Sequence, residues 1–145
     1  MRILDNNALG HILENRITIK GTFYITPDIL EEFEVLDNKL PPNVQNIFGE
    51  SWFNAASFLV NYQAVLNRRR GRSFYNMTGF GDTSILALLK TRKESFVDIL
   101  PGMTDEHIVI TNDQELTRFI KEEFNDISNE FDQKLTVVAC SKFSW

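Results

Sequence analysis

Cysteine is almost absent from this chain. Its single thiol, Cys140, excludes an intramolecular disulfide framework and any cysteine-rich zinc site. Histidine is nearly as scarce. His11 and His107 stand far apart in unlike contexts, poor material for a Ser–His–Asp or Cys–His apparatus, although His107 alone stays open. No run of about 18 apolar residues is present, so no segment reads as a membrane-spanning helix. Met1 to Asp5 supply no basic stretch followed by an apolar one, so no secretory leader is expected and the expected address is the cytoplasm. Repeats, low-complexity tracts and Pro/Gly/Ser-rich linkers are missing too. A single domain over 1–145 is therefore expected, and with 43% hydrophobic residues it has material for its own core.

Positive charge is in deficit. Lys and Arg number 15 against 20 Asp and Glu, a net charge of -5, which excludes polyanion binding driven by bulk charge. The basic residues are uneven, however: Arg68, Arg69, Arg70 and Arg72 form a knot within five positions. Such a knot either holds a polyanion locally or is a solvated loop after a helix. Acidic residues dominate Asp28 to Asp37 and Asp113 to Asp132.

What the chain does have is short apolar runs alternating with helical patterns. Ile3-Leu4, Thr22 to Ile25, Ile108 to Ile110 and Leu135 to Ala139 are short and β-branched, as buried strands of a parallel sheet are. Thr26-Pro27 is a helix start, with a Thr cap and Pro in the first helical position. Trp52, Ala55, Ala56, Leu59, Tyr62 and Leu66 recur at three- and four-residue steps and predict a long amphipathic helix. Ile85, Leu86 and Leu89 follow Asp82 in the same manner, and Leu116, Phe119, Ile120 and Phe124 follow Asp113. This alternation predicts an α/β domain, a three-layer α/β/α sandwich with a short, mostly parallel central sheet. Pro41 to Phe48 and Glu94 to Glu106 carry no readable pattern beyond the breaks at Pro41-Pro42 and Pro101-Gly102.

Four acids stand in telling positions on these elements. Asp5 follows the first strand directly, and Asp113 follows the Ile108 strand after Thr111-Asn112. Ligands of open α/β sheets bind outside the carboxyl ends of strands, where both acids belong. Around the helix after Pro27, Glu31 falls roughly 170° from the centre of the Ile29, Leu30, Phe33 and Leu36 stripe, and Glu32 about 90° from it. Glu32 thus sits on the shoulder of the buried face. Asp82 precedes Ile85, Leu86 and Leu89 by three, four and seven residues and shares their side. Each acid has a plain structural reading as a cap, a turn residue or a half-exposed helix position. Together they read as a cluster that needs protons or a hard cation, Mg²⁺ or Mn²⁺, to offset its mutual repulsion.

Four segments, in this order, resemble the motifs of the PIN-domain ribonuclease family. They are Arg2-Ile3-Leu4-Asp5-Asn6-Asn7-Ala8-Leu9, Tyr24 to Phe33 with Glu32, Gly79 to Leu88 with Asp82, and Ile108 to Leu116 with its strand–Thr–x–Asp–x–x–Leu pattern. Asn6 departs from the Ser, Thr or Ala more usual there. The resemblance implies a Mg²⁺- or Mn²⁺-dependent endoribonuclease that hydrolyses RNA phosphodiester bonds, its metal and catalytic residues being Asp5, Glu32, Asp82 and Asp113. Asp5 and Asp113 are the expected direct ligands, with Asp82 joining them and Glu32 orienting the attacking water. Many small single-domain members are toxins of toxin–antitoxin pairs, which implies a cognate antitoxin protein and a homodimer as partners, with no membrane.

The Arg68 to Arg72 knot is the expected RNA contact. Tyr24, Trp52 and Tyr75 are either stacking platforms or core. Two alternatives use the same residues: a metal nuclease acting on DNA or flap structures, and a non-catalytic PIN-like interaction module.

Overall fold

The computed structural model describes residues 1–34, 39–68, 81–96 and 106–145. Five strands, β1 (Arg2–Leu4), β2 (Phe23–Ile25), β3 (Val44–Asn46), β4 (His107–Ile110) and β5 (Leu135–Val138), form one sheet in the order β3-β2-β1-β4-β5. Every pairing is parallel, with Ile3 opposite Tyr24 on one side and Val109 on the other. The expected sandwich is thus present, with an all-parallel rather than mostly parallel sheet. Its central strands are apolar without alternation because both faces are covered: Ile3, Leu4, Val109 and Ile110 are all fully buried. β1 to β3 wind outward one way and β4 to β5 the other, so the winding reverses between β1 and β4.

Among the described residues, the sheet is flanked by six α-helices: α1 (Asn6–Glu14), α2 (Pro27–Glu34), α3 (Ala55–Arg68), α4 (Gly81–Glu94), α5 (Gln114–Glu123) and α6 (Glu130–Lys134). The Thr26-Pro27 start is realised, with the Thr26 hydroxyl accepting from the Ile29 N–H at 3.3 Å. β3 lies in the stretch from Pro41 to Phe48 that the sequence leaves unreadable, because three residues at a sheet edge carry too little periodicity. No helix among the described residues is long and apolar enough to cross a membrane.

Two helices depart from expectation. α3 begins at Ala55, not near Trp52, because the Asn54 side chain caps it by accepting from the Ser57 N–H at 3.1 Å. Its buried stripe is Phe58, Asn61 and Val65, whereas Leu59 of the expected apolar side is 66% exposed. The rotation has a polar cause: the Asn61 amide donates to Thr91 Oγ1 at 3.1 Å and Glu94 Oε2 at 3.3 Å, so a residue that reads as outward is held inward. α4 is the other departure. Rather than being amphipathic it is buried nearly all round, Thr83 to Leu89 without interruption, because α2 and α3 pack on it while it covers the sheet.

Candidate functional site

The carboxyl ends of β1 and β4 carry Asp5 and, directly after Ile110, Thr111-Asn112-Asp113. Asp5 is 4% exposed and caps α1, its Oδ1 accepting from the Ala8 N–H at 2.9 Å. Its Oδ2 accepts from the Thr111 hydroxyl, which in turn accepts from the Asp113 N–H at 2.9 Å. Asp113 caps α5 through Oδ1, which takes the N–H groups of Glu115 and Leu116 at 2.9 and 3.0 Å. Burial pushes the Asp5 carboxyl up from 3.8 to about 6, and the nearby Asp113 charge pushes the same way against the Thr111 and Ala8 hydrogen bonds. Both capping roles are therefore real, and both acids stand past the carboxyl ends of adjacent strands. Open α/β sheets take ligands at such a point, where the winding reverses.

Glu32 and Asp82 approach from α2 and α4. Glu32 is half-buried and Glu31 exposed, as the helical angle predicts. Glu32 Oε2 accepts from the Asn6 amide and Oε1 from the Gly81 N–H at 3.3 Å, so Glu32 on α2 ties the residue after Asp5 to the start of α4. Burial raises the Glu32 carboxyl above its usual range, opposed by the Gly81 N–H and assisted by Asp28 and Glu31. Gly81 makes this approach possible: a Cβ there would lie 2.6 Å from Ile29 Cδ1 and 3.2 Å from Glu32 Oε2. Asp82, half-buried, is the next residue and lies within the first turn of α4 rather than capping it.

Asp5 and Asp113 are thus near enough for their charges to interact, while Glu32 bonds Asn6, the residue after Asp5, and Gly81, the residue before Asp82. Among the described residues, no group of three or more His, Cys, Asp or Glu side chains is gathered closely enough to hold a metal ion.

The remaining expectations divide. Arg68 pairs with Glu123 at 2.9 Å, at the last residue of α5, whereas Asp113 caps its first turn. Arg69, Arg70, Arg72 and Tyr75 lie outside the described residues. His107 opens β4 at the opposite end from the acids, buried against Phe96 and Phe131 with ring centroids 5.4 and 4.4 Å away. Tyr24 and Trp52 are half-buried. Tyr24 bonds Glu50, which together with burial pushes its hydroxyl up to about 12, and the Arg92 guanidinium lies 4.7 Å over Trp52. Sequence reasoning missed Asn6 as a site residue and Thr111 as a bridge. The signal for Thr111 lay in the Thr–x–Asp pattern itself.

No family model matches the chain, and no solved structure matches it. Over 111 residues, 75% of its length, it is 31% identical to exocyst complex component 4 of Dictyostelium discoideum. The chain spans 9% of the length of that curated relative.

Proposed function

We propose that the chain is a metal-dependent endoribonuclease of the PIN-domain type, acting through Asp5, Asp113, Glu32 and Asp82. One observation carries the reading: a buried carboxylate and a second one beside it stand at the carboxyl ends of two adjacent parallel strands, where the sheet's winding reverses. Burial, assisted by the Asp113 charge, holds the Asp5 carboxyl at about 6 against the hydrogen bonds it accepts, so its anion is one that a bound cation would stabilise. The donor set fits Mg²⁺ or Mn²⁺. Such ions are bound through one or two carboxylates plus waters and substrate phosphate, so a cage of three protein acids is not required. When bound, the ion supplies charge for the scissile phosphate and a more acidic water.

The chain's own residues do the rest. Thr111 fixes the Asp5 carboxylate and the Asp113 backbone in one arrangement. Asp113 commits Oδ1 to the helix, leaving Oδ2 for a ligand. Asn6 and Gly81 hold Glu32 on the α4 side of the crevice, from which it orients water. A toxin role, with an antitoxin and a second copy of the chain as partners, belongs to the same proposal.

The test is cleavage of single-stranded RNA with Mn²⁺. Asp5→Asn and Asp113→Asn are expected to lose activity while keeping the wild-type circular dichroism, and an unchanged rate in either variant would reject the assignment. A second reading, an interaction module, is favoured by the absence of a three-acid cluster among the described residues and by the similarity to a component of a complex. Calorimetric titration with Mn²⁺ separates the two, since a module gives no heat.

A further inference from the structure

A cleft of about 770 Å³ runs along the outer edge of the sheet, between α5 and the edge strand β5. Thr111 and Asn112, one side chain from Asp5, line one end of it; Ser141 and Lys142 lie at that same end, where the Cys140 N–H donates to Asn112 Oδ1 at 2.9 Å, and Thr117 and Lys121 line it along α5. From Gln114 to Lys121 it follows α5 for about 10 Å.

Its charge is at odds with the rest of the molecule. In a chain of net charge -5, the described residues that line it include two lysines and no carboxylate. Lys93, Lys134, Arg68 and Arg118 are each committed to an acid. Among the described residues, neither Lys121 nor Lys142 makes an ion pair, and both side chains are exposed. Thr117, Gln114 and Ser141 add polar groups to its lining. Two ammonium groups without an ion pair over a polar trough are the chemistry of phosphate-backbone binding, and Thr111, which lines the trough, bonds Asp5.

We infer that this cleft holds the sugar–phosphate backbone of a single-stranded RNA and delivers it to the Asp5–Asp113 pair. The inference rests on the nuclease reading for what happens at the acids, but not for the binding itself. It also answers a physical difficulty, because an acidic site on an acidic protein repels a polyanion unless a separate basic surface draws it in.

The experiment is fluorescence anisotropy of the full chain with a fluorescein-labelled oligouridylate in EDTA, repeated over a range of salt. Lys121→Gln/Lys142→Gln is expected to bind about tenfold more weakly. Its plot of log affinity against log salt should be shallower by about 1.4, two single-strand phosphate contacts. Ser141→Lys, which adds a third ammonium at an exposed lining position, is expected to bind more tightly; it keeps the test decisive if the double variant fails to fold. Wild-type affinity and salt slope in the double variant overturn the inference, as does a wild-type chain that ignores the oligouridylate and binds polyglutamate through these lysines. Lysine-dependent RNA binding without Mn²⁺ heat or cleavage would sink the nuclease reading and leave the cleft standing. Cleavage that depends on Asp5, with binding indifferent to the lysines, would do the reverse.

Discussion

Asp5 concentrates the conflict between stability and use. Its carboxyl titrates near 6 in the folded chain and near 3.8 when unfolded, so between these values the folded state holds the extra proton. Folding is therefore favoured at low pH, and this contribution is lost as pH rises from about 4 through about 6. A shift of that size corresponds to about 3 kcal/mol. Asp5→Asn, which keeps the shape and an acceptor for the Ala8 N–H, should be the more stable protein above pH 7 by up to about that amount. The advantage should shrink as pH falls towards 4. Urea unfolding of both proteins across pH measures it, and a difference that does not vary with pH would place Asp5 in the ordinary carboxylate range. A substitution that stabilises while abolishing cleavage is the mark of a residue kept for chemistry. Asn6 belongs at the same scale: its amide makes a side-chain link from the Asp5 segment to Glu32.

Among the elements, α3 and α4 carry the sharpest tests. Leu59 and Val65 are both apolar residues of α3, but Leu59 is 66% exposed and Val65 fully buried. Leu59→Ala should change stability by under about 0.5 kcal/mol, and Val65→Ala should cost about 1.5–3 kcal/mol from two lost methyl groups and the void they leave. Chemical denaturation midpoints decide it, and the reverse order would restore the stripe read from hydropathy. At the start of α4, Gly81→Ala puts a methyl group 2.6 Å from the buried Ile29 Cδ1 and 3.2 Å from Glu32 Oε2. The expected loss is about 1–3 kcal/mol, visible in the urea midpoint, because overpacking here outweighs the better helix propensity of Ala. Legibility differed from helix to helix for a physical reason. α2 and α5 are read correctly because their caps and one-sided burial are local properties. α3 is misread because Asn61 is buried by partners 30 and 33 residues away.

At the level of the whole molecule, the layers are tied by a few long-range polar contacts. Lys93 on α4 reaches the Asp132 carboxylate at 2.9 Å, and that side chain, 2% exposed, also accepts from the Asp126 N–H at 3.1 Å. Lys93→Ala leaves a buried acid without its cation and should cost about 1.5–3 kcal/mol. Lys93→Ala/Asp132→Asn should recover part of that loss, and thermal unfolding of the two variants checks both values. The strand order acts at this scale too. It sets β1 beside β4, so that residues 106 positions apart in sequence, Asp5 and Thr111, are joined by a hydrogen bond. It also leaves β5 as an edge, which opens the lysine-lined cleft beside α5.

From sequence alone came the α/β class, the strands β1, β2, β4 and β5, the Thr26-Pro27 helix start, and the shoulder position of Glu32. All of these are written in a few neighbouring residues, as apolar runs, caps or helical angles. The edge strand β3, the face that α3 buries, the enclosure of α4 and the raised Asp5 carboxyl emerged only in the folded chain. So did the cleft that Lys121 and Lys142 both line. Each of these depends on which distant groups surround a residue, and desolvation and hydrogen-bond partners are settled by packing rather than by local order along the chain.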